Sequence, residues 1–270
     1  MLKIRELLFG TAFPKDHNPF KPHRVDFFAI LIITEGVATH LVDFGSYTLK
    51  AGNSLMVSKG QIHAFDTSPN YDGYLVIHTE EFIINAMNQS AQTKIFQLYN
   101  YHLGTVVYQA SPTNNEHLLS IVQEEEIEGD SFEKSNILGA ALSIYLLKLG
   151  RGQQFDRLQY KFGRNYEVFE QFKHAVEQGY TQSRNAKIYA SQLGLSYKTL
   201  NKICKIFTEK TAKVFIDDYI LLEAKRFLSA TSLSVKEISY KCGFDEPTNF
   251  LKYFKKLSNQ TPVQFRKKYL

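Results

Sequence analysis

The chain has 270 residues, 44% of them hydrophobic, and its 32 Lys and Arg against 27 Asp and Glu give a net charge of +5. This length suits two domains, each able to bury its own core. The longest apolar run, 27–33, is too short to span a bilayer, and Lys3, Arg5 and Glu6 interrupt the first ten residues, so neither a membrane span nor a secretory signal is expected.

The first half reads as β structure giving way to helix. Residues 27–33 form a continuous apolar run with β-branched members, and Gly36 is expected to end it. Residues 38–44 alternate, which places Ala38, His40, Val42 and Phe44 on one face. Further short strands are expected at 47–49, 54–57, 63–65 and 74–78. Turn signals at Gly45, Gly52-Asn53, Gly60 and Ser68-Pro69-Asn70 separate them. Many short strands at close spacing predict an antiparallel barrel or jelly roll. Helical periodicity follows at 80–102, 115–128 and 132–149. The last of these is apolar over more than one face, which predicts a second partner surface, a dimer contact with Leu138 and Leu142 as candidates. Glu124, Glu125, Glu126 and Glu128 read as a solvated face.

His23, His40, His63 and His78 lie in or beside the β region. His40 and His63 are expected to point inward and, with Tyr74, to be ligand contacts for a small, partly apolar molecule. No His-x-His pair with a following Glu at metal-ligand spacing is present, nor a Gly-rich phosphate loop, a nucleophile elbow or a Cys-x-x-Cys pair. No catalytic residue, metal or cofactor is therefore assigned.

A polar, Gly-bearing stretch from Gly150 to Gly163 reads as an interdomain connection. It sets domains at 1–150 and 165–270, with a linker at 151–164. Charge divides there as well. Residues 165–270 carry 18 Lys and Arg and 10 Asp and Glu, a net of +8, whereas residues 1–164 carry 14 and 17, a net of −3. A basic C-terminal third predicts a polyanion-binding module.

That third contains a repeat. Ala186, Tyr189, Ala190, Leu193 and Gly194 recur 49 residues later as Val235, Ile238, Ser239, Cys242 and Gly243. Leu200, Ile203, Cys204 and Phe207 recur at an offset of 50 as Phe250, Tyr253, Phe254 and Leu257. Each unit reads as short helix, tight turn, second helix. Ser196 is a cap for the first unit's second helix, with Glu246 at the matching position and Pro247 at the first helical position. Tyr197, Lys198, Asn201, Lys202 and Lys205 in one unit, and Glu246, Pro247, Thr248, Asn249, Lys252, Lys255 and Lys256 in the other, are expected to contact DNA. Asn suits adenine, Lys suits guanine or phosphate, and Thr suits a thymine methyl. A helix over 213–228, roughly 24 Å long, is expected to hold the two units. Cys204 and Cys242 fall on core positions and read as small buried hydrophobes.

The stretch Ser234-Val-Lys-Glu-Ile-Ser-Tyr-Lys-Cys-Gly-Phe-Asp-Glu-Pro-Thr-Asn-Phe-Leu-Lys-Tyr-Phe-Lys-Lys256, with Thr261-Pro262 and Phe265-Arg266, resembles in order and spacing the C-terminal signature of the AraC/XylS family of bacterial transcription regulators. Ala224, Lys225 and Leu228 match the end of its linker helix. The first unit fits more loosely: Cys204 replaces an aromatic, Glu209 a Gly, and Ile220 an Arg. Gly36-Val-Ala-Thr-His-Leu-Val-Asp-Phe44 with Lys59-Gly-Gln-Ile-His-Ala-Phe65 is similar to the family's cupin-type domain. The resemblance implies an α+β chain of two domains, a cupin-like β-barrel with helices and an all-α domain of two helix-turn-helix units. It implies a sequence-specific DNA-binding regulator, an activator, controlled through a small-molecule effector or dimerisation. The implied partners are double-stranded promoter DNA, RNA polymerase and a second copy of the chain, in the bacterial cytoplasm at the nucleoid. An effector-independent regulator, and more remotely a metal-dependent cupin enzyme, are the alternatives.

Overall fold

The computed structural model describes residues 1–9, 18–67, 70–103, 107–151 and 163–269. The chain divides into two units, Met1–Asp156 and Arg157–Leu270. Most of the expected linker, and Ser68 and Pro69 of one expected turn, lie outside the described residues.

Among the described residues the first unit carries strands β1 (Leu2–Lys3), β2 (His23–Arg24), β3 (Phe28–Val42), β4 (Gly45–Lys50), β5 (Asn53–Val57), β6 (Ile62–Ala64), β7 (Tyr71–His78) and β8 (Val107–Gln109). All the pairings are antiparallel. β3 belongs to two sheets. Its first half pairs with β5 and β7, Ala29 lying opposite Val57 and Ile77, and its second half pairs with β4 and β6, Val42 lying opposite Gly45 and His63. The two runs expected on either side of Gly36 are therefore one bent strand. The register shifts between Ile33 and Glu35, and Gly36 takes a φ of 72°. A Cβ there would lie 1.8 Å from the Asn70 carbonyl oxygen, so only glycine lets the strands close up at the bend. Phe44 also leaves its expected face. Asp43 and Phe44 both have positive φ, 45° and 72°, and form the two-residue turn between β3 and β4.

Burial on both faces explains why 27–33 reads as an unbroken apolar run. Ala29, Leu31 and Ile33 join Val42, Leu55 and Phe65 in the core between the two sheets. Phe28, Ile30 and Ile32 face the other way and pack, with Met56 and Val76, against a helical layer. Besides α1 (Ile4–Phe9), the helices of this unit are α2 (Glu80–Ala86), α3 (Gln89–Leu98), α4 (Pro112–Glu128) and α5 (Lys134–Arg151). The single helix expected over 80–102 breaks at Asn88, whose Oδ1 accepts a 3.0 Å bond from the Ala91 N–H and starts α3 afresh. Tyr145 ties α5 to the sheet, its hydroxyl 2.6 Å from Ser54 Oγ and 3.0 Å from Asn115 Oδ1. Leu142 faces this core and Leu138 is half-buried, so the second apolar face of α5 is a different one. Ile137, Ile144 and Leu147 form it, 41%, 55% and 38% exposed. Glu125 departs from the solvated run around it: it is buried and accepts a bond from Ser131 Oγ.

The second unit is helical: α6 (Arg164–Gly179), α7 (Ala186–Gln192), α8 (Tyr197–Thr208), α9 (Ala212–Ala230), α10 (Val235–Lys241), α11 (Pro247–Ser258) and α12 (Pro262–Arg266). The repeat runs further than its first two helices. Thr211 and Thr261, 50 apart, both cap a third helix, and Phe215 and Phe265 are both buried four residues on. In the first repeat that third helix continues as α9, about 28 Å long at 1.5 Å per residue.

Candidate nucleic-acid interface

α8 and α11 are built alike. Ser196 Oγ accepts the Thr199 N–H at 3.0 Å and starts α8, whereas α11 starts at Pro247 without a side-chain cap. Leu200, Ile203 and Cys204 bury one face of α8, and Phe250 and Phe254 one face of α11. Tight turns precede both helices, with Gly194 at a φ of 65° and Gly243 at 74°. Both cysteines are buried free thiols, and burial pushes the Cys242 thiol up to about 12.

The opposite faces carry the expected contact residues. Tyr197, Lys198, Lys202 and Lys205 are exposed on α8, as are Thr248, Asn249, Lys252, Lys255 and Lys256 on α11; Glu246 is exposed ahead of α11 and Pro247 is half-buried. Among the described residues none of these six lysines is in an ion pair. The cations at the start of α9 differ: Lys210, just ahead of it, pairs with Asp218 at 2.6 Å, and Lys213 on it pairs with Asp217. The recognition faces therefore present positive charge that no described residue neutralises in an ion pair, as phosphate binding requires. Asn201 departs from the expected outward position. Its Oδ1 turns back to accept the Ala212 N–H at 2.9 Å and helps cap α9.

Several contacts missed in the sequence hold the two repeats as one body. The Arg184 guanidinium lies 3.7 Å over the Phe244 ring and donates a 2.9 Å bond to the Gly243 carbonyl, locking the second turn against the first repeat. The Tyr253 hydroxyl donates to the Asp217 carbonyl at 2.9 Å, tying α11 to α9. Within α9, Arg226 and Glu223 form a fully buried 2.6 Å ion pair. An arginine ahead of a short helix carries no periodic signal, so nothing in the repeat pointed to Arg184.

In the first unit the three expected ligand contacts are not brought together. His40 Nε2 and His63 Nδ1 lie 3.0 Å apart, hydrogen-bonded and buried, with Phe65 against the His40 ring. Burial, reinforced by nearby His23, holds His40 down to about 3. Tyr74 packs on the other face of the sheet, against the helical-layer core. His78 Nε2 is 2.7 Å from the Tyr99 hydroxyl, and burial lowers it to about 4. Among the described residues, no group of three or more His, Cys, Asp or Glu side chains is arranged to hold a metal ion.

A two-sheet domain joined to a domain that carries two basic helix-turn-helix repeats defines a two-domain DNA-binding transcription regulator. Two family models match the chain, an AraC-like ligand binding domain over residues 10–138 and a helix-turn-helix domain over 189–268. The chain belongs to the AraC family of transcription regulators, which are not enzymes. It is similar to the HTH-type transcriptional activator RhaS of Yersinia pestis (strain Pestoides F), 24% identical over 262 residues that cover 95% of this chain and 90% of the relative. The HTH-type transcriptional activator RhaR of Mannheimia succiniciproducens is also 24% identical, over 266 residues covering 93% and 89%. Among solved structures, ToxT from Vibrio cholerae O395 bound to (E)-4-(8-methylnaphthalen-1-yl)but-3-enoic acid covers 93% of this chain and 94% of its own, at 15% identity and a TM-score of 0.49.

Proposed function

We propose that this regulator is a homodimeric activator that sets α8 and α11 of each copy on promoter DNA and responds to an effector in residues 1–150. The observation that carries the DNA contacts is the set of six lysines on two equivalent helices, none of them in an ion pair among the described residues. Lys202 on α8, and Thr248 and Asn249 at the start of α11, are the side chains for base edges. Tyr197, Lys198, Lys205, Lys252, Lys255 and Lys256 serve the phosphates, and Glu246 and Pro247 set the start of α11. The outer face of α5 supports pairing, because three large apolar side chains in one helical stripe face outward there. The activator sign is supported by the names of RhaS and RhaR, and effector control by the ligand-binding family model over the first unit. The effector acts by linkage: it binds one arrangement of the two units better, and so shifts the population able to engage both helices. Recruitment of RNA polymerase in the bacterial cytoplasm completes this reading.

One observation favours a second reading, a regulator whose N-terminal domain only pairs subunits. His40 and His63 satisfy each other inside a packed core, where an effector would have to displace them. Selection of bound fragments from random duplex DNA with full-length protein tests the main reading. A recovered motif is expected, with preference at one position relaxed by Asn249→Ala. Transcription with purified RNA polymerase is expected to rise on a template bearing that motif. Recovery of no motif, or a preference profile unchanged in both Asn249→Ala and Lys202→Ala, overturns the contact assignment.

A further inference from the structure

Between α3 and the last turns of α5 lies a cavity of about 190 Å3, lined by Lys94, Gln97, Leu98, Leu146, Leu147 and Arg151, with Gly150 on its wall. Gln97 is only 5% exposed, yet its Nε2 has no hydrogen-bond partner among the described residues. Buried donors are nearly always satisfied, so an orphaned amide on a cavity wall points to an acceptor that the described residues do not supply. Two cations flank it, and among the described residues neither Lys94 nor Arg151 is in an ion pair. Leu98 and Leu146 are buried and give the cavity an apolar side. Gly150 leaves room, since a Cβ there would come within 3.2 Å of Leu98 Cδ2.

This set matches a negatively charged acceptor on a short apolar body. The Gln97 N–H donates to a carboxylate oxygen, the cations balance its charge, and the leucines cover the hydrocarbon. At about 30 Å3 for each water displaced, the space suits roughly six to eight non-hydrogen atoms. We propose that the α3–α5 groove binds a small organic acid, a monocarboxylate of about four to six carbons. Arg151 ends α5, the last helix described before the DNA-binding repeats in chain order, so a bound acid would hold that helix's last turn. This regulatory role rests on the effector-controlled reading above; the binding itself does not.

Full-length protein is titrated without DNA against butyrate, hexanoate and inorganic phosphate, by calorimetry and thermal melting. One carboxylate is expected to bind saturably, one per chain, with a Kd on the order of 0.1–1 mM. It should raise Tm by mass action. Phosphate, which cannot use the leucine wall, should bind at least about tenfold more weakly. Gln97→Leu is expected to weaken carboxylate binding roughly tenfold or more and to raise the Tm of unliganded protein, because it removes the orphaned donor. A Gln97 with a merely structural role would lower Tm instead. Arg151→Glu, at an exposed helix end, is expected to keep the melting profile and lose about tenfold in affinity. No saturable carboxylate binding to wild type, equal binding by phosphate, a lower Tm in Gln97→Leu, or binding undiminished in Arg151→Glu would each overturn the proposal. DNA binding is measured on the same samples, so a failed site with intact DNA binding is distinguished from a failed regulator reading.

Discussion

At equivalent helix ends, Glu209 and Asn259 hold the same left-handed conformation, with φ of 59° and 58°. Asn tolerates that region through local hydrogen bonds of its short side chain, and Glu has no such device. Glu209→Gly is therefore expected to raise stability by about 1 kcal/mol, and Asn259→Gly by clearly less. Urea midpoints at unchanged slope check both. Asn201 makes the opposite case. Its Oδ1 caps α9 at Ala212, so Asn201→Ala should cost about 1 kcal/mol of stability. Exposed Lys202→Ala should stay within about 0.5 kcal/mol of wild type while weakening DNA binding. The same denaturation series, run beside a DNA titration, separates the two roles. Helical spacing placed both residues outward, and it was right for Lys202 alone. The bond from Asn201 crosses the turn closed by Glu209, and no periodicity within one helix registers a partner in the next. The core positions Leu200 and Phe250 were legible because they recur within their own helices and again in the repeat.

Elements were legible where their pattern is internal and obscure where they exist only as partners. The run 27–33 announced a strand because both of its faces are buried. Leu2–Lys3, His23–Arg24 and Val107–Gln109 are two or three residues long and form only by pairing with β7, β6 and β5, so their own sequence carries almost no signal. Gly36 signalled a break, but the physical event is a bend within one strand, set by the close approach of Asn70. The surplus of apolar residues on α5 was legible and its direction was not, because the direction depends on which side meets the sheet. Ile144 is 55% exposed and Leu142 is 3%. If the outer stripe pairs two copies, Ile144→Glu should give monomers by sedimentation, with an unfolding midpoint close to that of a monomeric reference. Leu142→Glu should instead unfold the domain, since burying a carboxylate there costs about 3 kcal/mol or more. Wild-type protein that sediments as a monomer at tens of micromolar would end the pairing assignment.

Across the whole molecule the two units respond to different solution variables. The first is sensitive to acid through His40 and His78, held near 3 and 4 against an ordinary 6.5. Both are neutral when folded, so above pH 6.5 they cost nothing. Below it the unfolded chain takes up protons that the folded unit refuses, and stability falls by up to about 1.4 kcal/mol per pH unit per histidine until the folded values are reached. Urea midpoints of the first unit should fall between pH 7 and pH 5, and His40→Phe should flatten that slope; a midpoint independent of pH over this range contradicts the burial assigned to both rings. The second unit is sensitive to salt. Lys198, Lys202, Lys205, Lys252, Lys255 and Lys256 present unneutralised charge, and each that meets a phosphate releases bound counterions. If the five assigned to phosphates all engage the duplex, the logarithm of affinity should fall with the logarithm of salt concentration at a slope of about −4.5 for each copy bound. Lys255→Ala should reduce that slope by about 1, on motif and random DNA alike. Lys213→Ala is the control. That lysine already pairs with Asp217 within the protein, so its removal should leave the slope unchanged. Equal effects from the two substitutions would mean that net charge alone, and not the arrangement of the recognition faces, holds the DNA.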